Sequence, residues 1–301
     1  MVFNGLIAYP VTPFLENGDI NFPELSSLVA SLASSGVDAI AVLGSSGSFA
    51  YLSAEERSRV AETAVDAVSA SGADVPVVVG ISSVGTREVL DAARDAERVG
   101  ASGVVLSPVS YVPLNNDEVA AQTAAVCDVT NLPICLYNNP GTTQFHYDLE
   151  LVAELLDLPN VVAFKDTAAD VVTFRQRYDR LRSLTNQPVS HGLSGDLLIA
   201  SGDVAADAWH TGPAALLPVA YTEFRAAVLS GDAARIAESR KLLLPVVQAV
   251  LRLRKLSGLH SLAKACGVNA GEPRLPVLPV PGSEQRDLAR LVDALEVTGR
   301  L

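Results

Sequence analysis

The stretch PNVVAFKDTAAD, Pro159 to Asp170, carries an ammonium group, Lys165, at the end of a run of apolar, β-prone residues. A charge in such surroundings is costly unless it is paired or gives up its proton. Two chemistries follow for Lys165. It forms an ion pair with Asp166 or another carboxylate, or its pKa is depressed and the free amine attacks a carbonyl carbon to give a Schiff base. Neighbouring residues of a strand point to opposite faces, so Asp166 does not easily share a pocket with Lys165, which favours the nucleophile. Tyr137 ends an earlier apolar run and is followed by the turn-forming Asn138-Asn139-Pro140-Gly141. A phenol beside an imine-forming lysine carries protons on and off the carbinolamine and a substrate hydroxyl; packing is its other role.

Gly44-Ser45-Ser46-Gly47 offers hydroxyls and backbone N–H groups just before a helix start. Such a loop binds a carboxylate or a phosphate, or it is a flexible connector. No G-x-S-x-G occurs there, and GLSGD at Gly192–Asp196 also lacks that spacing, so a serine hydrolase is not indicated. The histidines, His146, His191, His210 and His260, are scattered without metal-ligand spacing, so no metal is expected. His210, after Trp209, lines the substrate pocket or fills the core.

These residues must be positioned by a repeating unit: a short run of Val, Ile or Leu, a polar loop, then an amphipathic helix. Strands are expected at Gly5–Val11, Ala39–Leu43, Val75–Gly80, Gly103–Leu106, Pro133–Tyr137, Val161–Phe164, Pro188–Gly192 and Ala206–Thr211. Several are apolar throughout rather than alternating, as when both faces are covered. Ser53 and Glu56 form a capping box at a helix start. Eight such units predict an α/β fold, a (β/α)8 TIM barrel, with a doubly wound sheet as competitor; no G-x-G-x-x-G opens the first unit. The barrel is expected over residues 1–231. Residues 232–301 change rhythm into helices at Ala233–Arg254, His260–Cys266 and Ser283–Leu295, a C-terminal helical appendage packed on the barrel. In such barrels the working groups lie at the carboxyl ends of the strands, and Lys165 is the only lysine among them.

Composition narrows the partners. A net charge of −12 without any Lys/Arg run argues against nucleic acid and anionic membrane. The opening MVFNGLIAYPVTPF has neither a basic segment nor a long apolar stretch, so neither a signal peptide nor a membrane span is expected and the setting is cytoplasmic. Cys127, Cys135 and Cys266 sit in apolar patterns and read as reduced core residues.

Taken together, the motifs resemble the dihydrodipicolinate synthase/N-acetylneuraminate lyase family of pyruvate-dependent aldolases and lyases. The resemblance runs from GLIAYPVTPF to AKACGVNAGEPRLPVLPV and rests on Gly44–Gly47, the LSAEER helix start, Tyr137-Asn138-Asn139-Pro140 and Phe164-Lys165-Asp166. It implies that Lys165 forms an imine with pyruvate or a related 2-oxo acid, that Tyr137 is the general acid/base, and that Ser45 and Ser46 hold the substrate carboxylate and relay protons. It places Gly195, Asp196, His210 and Thr211 against the distal part of the substrate. It also implies a homotetramer without metal or organic cofactor.

Three departures shape the expectation. Ser48 stands where the family loop carries an acid. Thr142 stands where true dihydrodipicolinate synthases have a carboxylate-anchoring arginine. Tyr111, after Ser110 in PVSYVP, is displaced by one residue from the family's tyrosine pair, and a one-residue shift turns a side chain to the other face. The expected activity is therefore a Schiff-base lyase or aldolase acting on pyruvate or a 2-keto-3-deoxy acid, by C–C bond chemistry or dehydration. Lysine-pathway 4-hydroxy-tetrahydrodipicolinate synthase, joining pyruvate to aspartate semialdehyde, is the alternative. A phosphate- or metal-dependent barrel and a catalytically silent binding protein are the rivals from other classes.

Overall fold

The computed structural model describes residues 2–202 and 206–296. Strand and helix alternate from the start: β1 Gly5–Ala8, α1 Phe22–Ala33, β2 Ala39–Val42, α2 Ala54–Ser71, β3 Val77–Gly80, α3 Thr86–Arg98, β4 Gly103–Leu106 and α4 Asn116–Cys127. The second half runs β5 Ile134–Asn138, α5 Pro140–Thr143, α6 Leu149–Leu155, β6 Val161–Asp166, α7 Val171–Leu184, β7 Ser190–Ser194, α8 Leu197–Ser201, β8 Ala208–Thr211 and α9 Pro218–Ser230. The eight strands are parallel and close in sequence order, β8 returning to β1 through the register Ile7↔His210. This is a TIM barrel, as the repeating units predict.

Every residue of β1 to β4 is buried, which explains their continuous apolar runs: one face meets the helices and the other the barrel interior. The interior cluster combines Phe3, Ile7, Val78 and Val105 with Ala39, Ala41, Ala163 and Ala208. The four alanines take little of the interior volume, leaving room for Tyr9 and Tyr137 in the same cluster.

Local signals set several element ends. Ser53 Oγ accepts from the Glu56 N–H at 3.2 Å, and Glu56 Oε2 accepts from the Ser53 N–H at 2.8 Å, closing the expected capping box at α2. Gly72 then ends α2 at φ 72°, left-handed backbone that a side chain would strain. β1 stops three residues earlier than expected, ahead of Pro10, which has no N–H for a ladder. β5 and β6 run past their expected ends, to Asn138 and Asp166. The expected turn after Tyr137 is instead a single helical turn, α5, with Pro140 at its first position, where a missing N–H does no harm.

Beyond α9 lie α10 Ala233–Arg252, α11 Lys255–Ala265 and α12 Gly282–Glu296, which together form the C-terminal helices; the last five residues of the chain fall outside the described range. The segment after α11 is tied to the barrel's rim. Phe14 N–H donates to Ala270 O at 2.9 Å, and Arg274 donates to Glu56 Oε1 at 2.7 Å and to Tyr51 O at 2.9 Å. Those ties hold the C-terminal segment against the barrel's rim, and the start of α11 lies beside the open end of the barrel.

Candidate active site

β5 and β6 lie side by side in the register Leu136↔Phe164, Tyr137↔Lys165 and Asn138↔Asp166. Because side chains alternate, the pairs divide by face. Tyr137 and Lys165 turn into the barrel, while Asn138 and Asp166 turn outward toward α7. Two motifs separated in sequence thus become one structural unit.

The outward pair is saturated. Asp166 is fully buried and accepts from Arg177 Nε at 2.6 Å, Asn138 Nδ2 at 2.7 Å and His191 Nε2 at 3.2 Å. Burial pushes its pKa up, but the bonds from His191 and Arg177 outweigh this and hold it below the usual carboxylate range. Asp166 is therefore not the partner of Lys165; its bonds pin the strand end that carries the lysine.

The inward pair is different. Lys165 is 5% exposed and, among the described residues, forms no ion pair. Its Nζ lies 3.8 Å from the ring centres of both Tyr9 and Tyr137. The ring faces favour the ammonium by about 0.5–2 kcal/mol each. Removing an ion from water costs several kcal/mol, and in this balance burial wins: the Lys165 pKa is lowered, with the charge of Lys255 adding to the effect.

Tyr137 is the counterpart. Burial alone would raise its phenol, but the positive charges of Lys165 and Lys255 and a bond from Ser194 Oγ at 3.4 Å bring it down to about 8. A phenol in that range exchanges protons near neutrality. Tyr9 and His210 complete the wall, with Tyr9 Oη 2.9 Å from His210 Nδ1. Burial raises the Tyr9 pKa, and burial together with the Lys165 charge drives His210 well below its ordinary value, so both are neutral. Gly192 makes this possible, because a Cβ there would lie 2.5 Å from His210 Nε2.

These groups open onto a cavity of about 240 Å³. Of the residues singled out from sequence, Lys165, Tyr137, Ser45, Ser46, Gly195, Asp196 and His210 line it. Thr211 stands one layer back, donating to Asp196 Oδ1 at 2.6 Å, while Tyr221 Oη donates to the same oxygen at 3.0 Å. Burial raises the Asp196 pKa, against those two bonds and the positive charge of Lys255. Gly44 and Gly47 shape the serine loop. A Cβ on Gly44 would meet the Tyr9 ring at 2.7 Å, and Gly47 O accepts from Thr12 Oγ1 at 2.7 Å. Ser48 takes left-handed backbone at φ 58°, and its buried Oγ has no hydrogen-bond partner among the described residues.

Thr142 lies exposed on α5, Ser110 is half-buried, and Tyr111 is 90% exposed; none of the three lines the cavity in this chain. Conversely, Tyr9, Ser194 and Lys255 belong to the site and were not singled out from sequence. Tyr9 sits in the apolar opening run, and its place against Lys165 depends on barrel closure. A larger groove of about 490 Å³ between α2 and α3 contains none of these groups, so volume does not identify the chemical site.

A closed barrel with a buried, unpaired amine facing a phenol of lowered pKa defines a class of enzyme, the barrel lyases that work through a lysine. The model of the dihydrodipicolinate synthetase family matches residues 2–295. The chain is 31% identical to a "Probable 5-dehydro-4-deoxyglucarate dehydratase" of Pseudomonas entomophila, covering 97% of this chain and 95% of that protein. Among solved structures it resembles dihydrodipicolinate synthase from Agrobacterium tumefaciens, with TM-score 0.91 and 32% identity, covering 97% and 98% of the two chains. It also resembles a prophage protein of the dihydrodipicolinic acid synthase family from E. coli K12, solved in complex with pyruvate, with TM-score 0.89, 26% identity and coverage of 98% and 99%. The chain belongs to the dihydrodipicolinate synthetase family and is an enzyme of the lyase type.

Proposed function

We propose that this lyase acts on pyruvate or a 2-keto-3-deoxy acid through an imine on Lys165. The carrying observation is the buried Lys165 amine, without an ion pair among the described residues, beside the Tyr137 phenol. The amine nitrogen attacks the keto carbon, and the carbonyl oxygen gains a proton to give a carbinolamine. Tyr137 shuttles protons as that hydroxyl leaves as water and the iminium forms. The iminium draws electrons from the adjacent carbon, so loss of a proton there gives an enamine. Loss of a hydroxide from the next carbon, protonated as it leaves, gives an unsaturated iminium, and its hydrolysis by water frees the product and the Lys165 amine for a net dehydration. Bond-making or bond-breaking to an aldehyde carbon at the same position gives an aldolase. Ser45 and Ser46 hold the carboxylate next to the keto group, and Gly195, Asp196 and His210 face the remainder of the substrate, with Thr211 behind them bonded to Asp196.

Dehydration or sugar-acid cleavage is favoured over 4-hydroxy-tetrahydrodipicolinate synthesis, because Thr142 offers no cation to an aldehyde substrate's carboxylate. No metal or organic cofactor takes part in this scheme. The protein is proposed to work in the cytoplasm as a homotetramer, where the exposed Tyr111 and its neighbour Ser110 would meet another subunit; sedimentation measures the assembly. Incubation with a panel of 2-keto-3-deoxy sugar acids, and with pyruvate plus aldehydes, tests the activity by product analysis. Turnover of at least one by the wild type and none by Lys165→Ala is expected. A dehydratase or aldolase activity that survives Lys165→Ala overturns the reading.

A further inference from the structure

We propose that Lys255 selects the substrate, by binding a second carboxylate at the end of the 2-oxo acid remote from the carbon that Lys165 attacks. This deepens the imine reading and rests on it. Lys255 is the first residue of α11, in the C-terminal helices rather than in any βα unit, yet it lines the same cavity as Lys165. Lys165 is buried at depth and Lys255 is exposed at the mouth, so the cavity carries one amine at each level.

Once a 2-oxo acid is bound, the iminium on Lys165 and the Lys255 ammonium are positive charges that the described residues do not balance. Among the described residues, the Lys255 side chain makes no hydrogen bond or ion pair. Among the described residues, the one carboxylate lining the cavity is Asp196, and its Oδ1 already accepts from Thr211 and Tyr221. The start of α11 adds to the imbalance: no side chain caps it, so the positive end of the helix lies where the Lys255 ammonium begins. A monoanion such as pyruvate, held by Ser45 and Ser46 next to Lys165, leaves Lys255 unanswered. A 2-oxo acid with a carboxylate at each end answers both levels.

The surroundings strengthen such a pairing. Val250, Leu251, Leu253 and Leu259 line the cavity beside Lys255, and apolar walls reduce the screening of a charge-assisted bond. A cavity of about 240 Å³ lies below the ordinary range for drug-sized ligands, roughly 300–1,000 Å³, and suits a small acid rather than a bulky one. Lysine on a flexible stem reads a carboxylate as a point charge, so the selection is for charge at that end rather than for one stereochemistry.

The test compares 2-oxoadipate with 2-oxohexanoate, which share the six-carbon 2-oxo acid framework but differ in the distal carboxylate. Half-saturation of borohydride trapping is measured for wild type, Lys255→Met and Lys255→Arg. Binding of both acids to Lys165→Ala, with and without Lys255→Met, is measured by calorimetry, where no imine at residue 165 contributes. Wild type is expected to favour 2-oxoadipate by about tenfold or more, the scale of one charge-assisted contact. Lys255→Met is expected to bring the ratio between the two acids to about one, whatever it does to trapping of both, and Lys255→Arg to retain the preference. A preference that survives Lys255→Met, or no preference in the wild type, overturns the assignment. Failure of the imine reading appears separately, as no adduct on Lys165 with either acid, and the calorimetric comparison then still decides the role of Lys255.

Discussion

Lys165 and Asp166 are consecutive, similarly buried and oppositely charged, yet the two faces of β6 treat them in opposite ways. The outward face surrounds Asp166 with Arg177, His191 and Asn138, so the charged form is the stable one. The inward face surrounds Lys165 with the rings of Tyr9 and Tyr137 and, among the described residues, supplies no carboxylate. A buried charge that is fully bonded is part of the framework. A buried charge left without a counter-ion is one the fold presses to neutralise, and a neutral amine is a nucleophile. The saturated cluster also serves the unsatisfied one, because the bonds to Asp166 fix the strand end from which Lys165 projects.

Breaking the inward member should have the largest effect. Lys165→Ala is expected to lower turnover by about 10⁴-fold or more, as loss of a covalent nucleophile does. Its urea midpoint should hold or rise, because an unpaired buried cation has been removed. Breaking the outward member should do the reverse. Asp166→Ala leaves Arg177 without its carboxylate and should cost about 3–5 kcal/mol in urea unfolding. Tyr137→Phe keeps the ring over Lys165 but removes the proton carrier; kcat should fall by about 10²–10⁴-fold while the borohydride adduct still forms on long incubation.

The two faces should also separate by pH. The Lys165 pKa is lowered in the fold, so between that value and the unfolded value of about 10.4 the unfolded chain binds more protons. Stability should rise with pH through that window, and Lys165→Met should remove the rise. The Asp166 pKa is also lowered, so its contribution is present above the unfolded value of about 3.9 and is lost as pH falls through the folded value. Unfolding free energies measured across pH for wild type and Lys165→Met check the first slope, and acid unfolding of Asp166→Asn checks the second. The smallest effect should come from Ser194→Ala. Loss of its bond should move the Tyr137 titration upward from about 8 and slow turnover by less than about tenfold.

Much of this contrast was legible in the chain. Strand alternation alone separates Lys165 from Asp166, and the repeated units bring the Tyr137 strand beside the Lys165 strand. What the sequence did not show depends on closure and long-range register. Tyr9 reaches Lys165 because β8 returns to β1, which sets its phenol against His210. Arg177 and His191 converge on Asp166 from α7 and β7, elements that no local pattern connects. Lys255 lies outside the βα rhythm, at a helix start that looks solvent-facing until the packing of the C-terminal helices brings it to the barrel mouth. The extra residues of β5 and β6 were hidden because Asn138 and Asp166 are polar and bond to each other outside the barrel.

The cavity's two lysines, Lys165 and Lys255, make one measurement decisive. Wild-type protein is incubated with pyruvate, reduced with borohydride at graded pH, digested and mapped by mass spectrometry. A pyruvate adduct confined to the peptide carrying Lys165 is expected, forming with a pH midpoint well below that of an ordinary lysine. An adduct on the Lys255 peptide, or a Lys165 adduct that appears only with an ordinary lysine's titration, would contradict it.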